Sequence, residues 1–185
     1  MMWNYILIFV IMENKKLYLA GPDVFRKNAV EHMKMLKSLC EKYNLIGLNP
    51  FDNEINLINF DLNEAMTIFQ GNYKLIDQCD YIVANLRPFR GACVDDGTAT
   101  EIGYGFKSGK IICGYSEFIH LKVKDIVKWC SPHGNSFGRK EGNIFTGVEN
   151  FGLTHNLMII GMIQESGGFV NHSYNSWDVL AYRDM

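Results

Sequence analysis

The 185-residue chain lacks the cysteine pattern of a secreted, disulfide-stapled domain. Its five cysteines, at 40, 79, 93, 113 and 130, are odd in number and include no C-x-x-C pair, which fits reduced thiols in a cytoplasm. It lacks an excess of base: 18 Lys and Arg stand against 20 Asp and Glu, with no basic cluster among the aromatics, so no nucleic acid partner is expected. There is no G-x-x-x-x-G-K-[ST] loop and no G-x-G-x-x-G after the first strand, which removes support for nucleoside triphosphates and dinucleotides. Cys130 and His133 have ligand-like spacing but no second pair to complete a site, so neither a metal nor another cofactor is expected. No long hydrophobic run exists either. Trp3 to Met12 is apolar except for Asn4, too short to span a bilayer and without the basic start or cleavage site of a secretory signal. We read residues 1–15 as an N-terminal extension, with Met12 as a natural start or the segment as an extra edge element, and expect no membrane partner.

What is present is enough apolar content, 48%, for one good core, so residues 16–185 read as a single domain. Lys16-Leu-Tyr-Leu-Ala-Gly21 is a strand running into a turn at Gly21-Pro22. Val30, Met33, Leu36 and Leu39 form a helical stripe within residues 28–43. Strands are then expected at 45–50, 81–86 and 110–115, and helices at 63–78, 98–108 and 153–164, with Gly109 as a stop signal. This alternation predicts a parallel sheet with helices on both faces. The segment from Ser131 to Glu149, rich in Gly, Asn, Ser and charge, reads as an exposed loop or insertion.

The most informative stretch follows the strand at 81–86. A glycine-rich loop there runs into a helix that carries Glu101, at the carboxyl end of a strand, where open α/β sheets hold ligands. Two readings stand for each polar residue. Glu101 follows Thr98 by three, the spacing of a capping box, or it is a reactive carboxylate. Asp95 and Asp96 are favourable charge near a helix start, or Asp95 joins Glu101, six positions on, at one ligand by way of a fold at Gly97. Two carboxylates flanking a glycosidic bond are what its cleavage requires. Tyr18 is either core or aimed at the ligand mouth. Asn72 in isolation reads as a surface residue.

Taken in order, Tyr18-Leu-Ala-Gly-Pro22, Pro50-Phe-Asp-Asn-Glu54, Asn72 followed by Ile76-Asp77 and Asp80, and Asp95-Asp-Gly-Thr-Ala-Thr-Glu-Ile-Gly-Tyr104 resemble the nucleoside 2-deoxyribosyltransferase family. Gly152-Leu-Thr-His-Asn-Leu-Met158 resembles its later element, which gives an asparagine to a sugar site. The resemblance implies a flavodoxin-like, doubly wound sheet of about five strands. It implies a retaining double displacement between a 2'-deoxynucleoside donor and a free nucleobase acceptor, in nucleotide salvage. Glu101 would be the nucleophile, Tyr18 its orienting partner, and Asp95 a sugar or base contact able to assist protonation. Asp52, Glu54, Asn72, Gly97 and Asn156 would line the substrate, with Phe25 and Phe89 as candidates for stacking on the base. Asn72 stands where some members carry an aspartate, and an amide cannot protonate a leaving base. The asparagine at 156 can serve a neighbouring subunit in the family, so a homo-oligomer with shared sites is expected. Tyr174, Trp177 and Tyr182 are further aromatic candidates for the site or an interface. Two rivals remain. One is a hydrolase of 2'-deoxynucleoside 5'-monophosphates, disfavoured because Asp23 in the first loop would repel a phosphate. The other is a silent nucleotide-binding module.

Overall fold

The computed structural model describes residues 14–53, 55, 58–130, 139–141, 144–146 and 148–172. The expected alternation is present as β1 (Lys16–Ala20), α1 (Ala29–Lys42), β2 (Ile46–Leu48), α2 (Leu62–Gln78), β3 (Tyr81–Asn85), α3 (Asp96–Lys107) and β4 (Ile111–Ser116). Beyond it come α4 (Val123–Cys130), a hairpin of β5 (Arg139–Glu141) and β6 (Ile144–Thr146), α5 (Leu157–Glu165) and β7 (Val170–His172). Short 3-10 helices at Pro22–Phe25 and Pro50–Asn53 follow β1 and β2. The main sheet is five-stranded in the order β2-β1-β3-β4-β7, and every pairing in it is parallel. The order reverses beside β1, which creates the switch-point crevice of a doubly wound sheet.

Strand alternation divides the core into two layers. Tyr18, Ala20, Ile82, Ala84 and Ile112 join Ile76 of α2, Ile102 of α3 and Ile159 and Ile163 of α5 in one apolar cluster. Full burial of each such isoleucine contributes about 1.5–3 kcal/mol. Leu19 points the other way, toward Cys40 and Lys37 of α1, close enough that a Cβ on Gly47 would meet all three. The tightest helix-to-sheet approach is in the first layer. A Cβ added at Gly105 of α3 would lie 2.1 Å from Cδ1 of Ile82, so α3 sits on β3 at a depth that only glycine permits.

Three expectations change. The buried face of α1 is Ala29, His32, Met33 and Cys40, while Val30 and Leu39 are about half exposed. A buried His32 is affordable because its Nε2 lies 3.1 Å from Asp23. The segment from 131 to 149, expected as loop, holds the β5–β6 hairpin. The fifth strand is β7, three residues long, held against β4 where Gly168 approaches the Ile112 carbonyl too closely for any side chain. Residues 1–13, Glu54, His133, Tyr174, Trp177 and Tyr182 lie outside the described residues. Among the described residues no helix is long and apolar enough to cross a membrane, and no group of three His, Cys, Asp or Glu could hold a metal ion.

Candidate active site

Helix α3 starts where the sequence supplies a cap. Asp95 is its N-cap residue, its Oδ2 accepting from the Thr98 amide at 2.9 Å and the Thr98 hydroxyl at 3.0 Å. With Asp95 filling that role, Glu101 is free of capping and lies further along the helix. The Tyr18 hydroxyl donates to Glu101 Oε1 at 2.6 Å, linking β1 to α3 across 83 positions of sequence. This is a charge-assisted bond at the short end of its range. Tyr18 is wholly buried, paired in register with Leu48 on one side and Ile82 on the other, so its ring cannot leave the sheet. Its hydroxyl is therefore a fixed donor.

Burial pushes the Glu101 carboxyl from its ordinary 4.5 to about 7; the Tyr18 bond pulls it down and the charge of Asp95 pushes it up. Burial, then the charge of Glu101, raise the Tyr18 phenol as well, which keeps it protonated while Glu101 ionises. A buried carboxylate with one phenol donor has lost most of its water and gained little in return. That combination of desolvation and one positioned partner is what functional carboxylates exhibit.

Glu101 opens on a cavity of about 490 Å³ between α2 and α3, lined also by Ala65, Ile68, Asn72, Ile76, Gly97 and Thr100. Phe69, Tyr73 and Tyr104 form an aromatic wall on the same cavity, with ring centroids 5.4 Å apart for the first pair and 6.0 Å for the second. The sequence reading missed this wall, although the i, i+4 spacing of Phe69 and Tyr73 around Asn72 was a usable signal. A second cavity of about 450 Å³ lies across α3, reached by Ala99 rather than Thr100, and is lined by α4, α5 and the 148–156 segment. The N-terminal half of α3 is thus a wall between two hollows.

The remaining candidates divide between these places. Glu101, Gly97 and Asn72 share the first cavity. Asn156 lines the second, capping α5 through the Met158 amide and donating to Glu149. Asp52 is spoken for, with Oδ1 on Lys37 Nζ at 2.8 Å and Oδ2 on the Asn49 amide at 3.0 Å. Phe25 and Phe89 stack on each other, centroids 5.2 Å apart, under the Arg90 guanidinium, and neither lines the Glu101 cavity. Asp23 is not a bare charge facing the mouth: it is buried, 2.9 Å from Asn85 Nδ2, 3.1 Å from His32 and 3.6 Å from Arg26. His155, buried at the second cavity, is pushed down to about 4 by that burial and stays neutral.

Comparison with known proteins gives the family through a family model and a solved relative, and the fold through a more distant structure. The nucleoside 2-deoxyribosyltransferase family model matches residues 17–158. An uncharacterised protein of Schizosaccharomyces pombe is 34% identical over 167 residues, covering 83% of this chain and 79% of its own. The solved 2-deoxyribosyltransferase of Leishmania mexicana is 32% identical, with a TM-score of 0.60 over 78% of this chain and 85% of that one. The 2-deoxyribosyltransferase of Bacillus psychrosaccharolyticus, 19% identical with a TM-score of 0.52, covers 90% of this chain and 91% of its own and shares the fold.

Proposed function

The chain belongs to the nucleoside 2-deoxyribosyltransferase family, and on that premise we propose that it exchanges the nucleobase of 2'-deoxynucleosides through a covalent deoxyribosyl ester on Glu101. The observation that carries the reading is the 2.6 Å pair of Tyr18 and Glu101 at an apolar cavity. In the first step a Glu101 carboxylate oxygen bonds to C1' while the C1'–N bond breaks, its electron pair leaving with the base, which takes up a proton. In the second, a nitrogen of the incoming base attacks C1' from the vacated side, gives up its proton, and Glu101 departs as carboxylate. Two inversions give retention.

Each neighbouring group has a physical task. Burial that raises the Glu101 pKa also strips the carboxylate of water and leaves it more nucleophilic, while the Tyr18 bond holds one oxygen and aims the other. A sugar without a 2'-hydroxyl forms an oxocarbenium-like transition state more readily, so positioning does more than strong acid. The departing base needs a proton that the Asn72 amide cannot give. Asp95, whose Oδ1 has no hydrogen bond among the described residues, is the carboxylate available to take up a solvent proton, pass it to the departing base and recover one from the incoming base. Asn156 opens on the far side of α3, so its sugar contact is made in a neighbouring copy, whose approach would cover the exposed Phe151, Leu157 and Met158. Size-exclusion chromatography with activity across the peak tests this; a fully active monomer refutes it.

The deciding experiment is chromatography of 2'-deoxyinosine incubated with adenine, with inosine and 2'-deoxyinosine 5'-monophosphate as parallel donors and a control lacking acceptor. Deoxyadenosine formed from deoxyinosine, with inosine untouched, supports the transferase. Free base released only from the monophosphate assigns the hydrolase instead. Silence with every donor, pyrimidine deoxynucleosides included, assigns a binding module.

A further inference from the structure

The Glu101 cavity has few polar side chains, and most are committed. The Thr100 hydroxyl donates to the Asp96 carbonyl at 2.8 Å, the Tyr104 hydroxyl donates to Asp77 at 2.8 Å, and Glu101 holds Tyr18. Asn72 is the amide that remains, and its polarity is fixed from outside the cavity. Asn53 Nδ2 lies 3.0 Å from the Pro50 carbonyl oxygen and 2.8 Å from Asn72. A carbonyl only accepts, so that end of Asn53 is the NH2 group. The atom of Asn72 facing it must then be the acceptor, Oδ1. The Asn72 oxygen is turned to Asn53, and the NH2 group is the end left for a ligand.

Gly71 makes this possible. A Cβ at that position would lie 2.5 to 2.7 Å from the amide atoms of Asn53, so any side chain there would push Asn53 off α2 and release Asn72. An asparagine with both ends free pairs with the N6 amino donor and N7 acceptor of adenine together. One whose oxygen is turned to Asn53 offers the cavity its NH2 end, whose donors match the adjacent O6 and N7 acceptors of a 6-oxopurine and leave the 6-amino group of adenine facing another donor.

We propose that Asn53, Gly71 and Asn72 set the hydrogen-bond polarity of the Glu101 cavity and make it select 6-oxopurine bases over 6-aminopurines. The inference rests on the reading of this cavity as the nucleobase site and deepens it. Asn72 is the base contact; Asn53 and Gly71 are positioning residues.

The test is calorimetric titration of the protein with hypoxanthine, adenine and unsubstituted purine, run beside the deoxyribosyl exchange assay on the same preparations. Hypoxanthine is expected to bind about tenfold or more tightly than adenine. Asn53→Ala and Gly71→Ala, by different routes, should each bring the two bases to within about threefold, and Asn72→Asp should invert the order. Purine, with no group at C6, separates the effects: an equal loss of all three bases in the variants marks structural damage and overturns the proposal. So does a wild type indifferent to the C6 group, or one that binds none of them. Exchange without selectivity would sink this inference alone. Selective binding without exchange would leave it standing and remove the transferase reading.

Discussion

Two carboxylates are buried near the carboxyl ends of the sheet strands, on opposite faces, and they live differently. Asp23, on the α1 side, is 2% exposed and has the Asn85 amide, His32 and Arg26 about it. Glu101, on the α2 and α3 side, has the Tyr18 hydroxyl and an apolar cavity. Burial of a charge is tolerated when partners replace its water. At Asp23 the replacement is generous and the residue holds the first loop against β3 and α1. At Glu101 it is meagre, and the unmet cost appears as a carboxyl that titrates near neutrality. The contrast separates a carboxylate that builds from one stripped of water with little put in its place.

Substitutions can sharpen or break that contrast. The largest effect expected is on turnover: Glu101→Gln should lower deoxyribosyl exchange by about four orders of magnitude or more with an unchanged circular dichroism spectrum. Retained turnover would move the nucleophile elsewhere. Next, Asp23→Asn should destabilise the fold by about 3–5 kcal/mol in urea titration, because it leaves buried His32 and Arg26 facing a neutral amide. A loss under 1 kcal/mol would mean that the two carboxylates are not so different.

The third effect has the opposite sign. The native Glu101 carboxyl stays protonated to about 7 and the unfolded one only to the ordinary 4.5. The native state therefore binds the extra proton between those values, and its stability falls as pH rises through that window. Glu101→Gln removes the loss, so the variant should exceed the wild type by about 3 kcal/mol at pH 8 and match it at pH 4. Reading the difference between the two proteins also cancels His155, whose depressed pKa erodes stability in the other direction, as pH falls below its ordinary 6.5. The smallest effect concerns Tyr18→Phe. Its bond holds the Glu101 pKa down, so the acid limb of kcat/KM should move above 7, with a loss of about tenfold or more at neutral pH. An unmoved limb would mean that the phenol does not govern that carboxyl.

Much of this was legible in the chain. The βαβ alternation through β4 follows from apolar periodicity, and a capping signal before α3 was visible as a Thr98 and Glu101 box, with Asp95 read as helix-start charge or a ligand contact; which residue supplies the cap is decided only in the fold. Asp95 does, because its short side chain reaches the Thr98 amide and leaves Glu101 to Tyr18. That pairing lies 83 positions apart and emerges only when strand register is known. Asp52, Phe25 and Phe89 looked available because local sequence does not show that Lys37, or another ring, already occupies them. The short β7 and the hairpin were hidden for a related reason: three-residue strands carry too little pattern, and β7 is defined by its partner β4.

The absent side chain at Gly105 bears on more than packing. One turn before it on the same helix stands Glu101, so the depth at which α3 rests on Ile82 sets the height of the carboxyl above the sheet, where Tyr18 meets it. A single methyl at 105 would act as a shim. It would lift the helix off a neighbour that is itself fully enclosed, and the displacement would reach Glu101 as a longer reach to the phenol. The focal distance of the site is thus ground one helical turn away, by a residue that does not line the cavity.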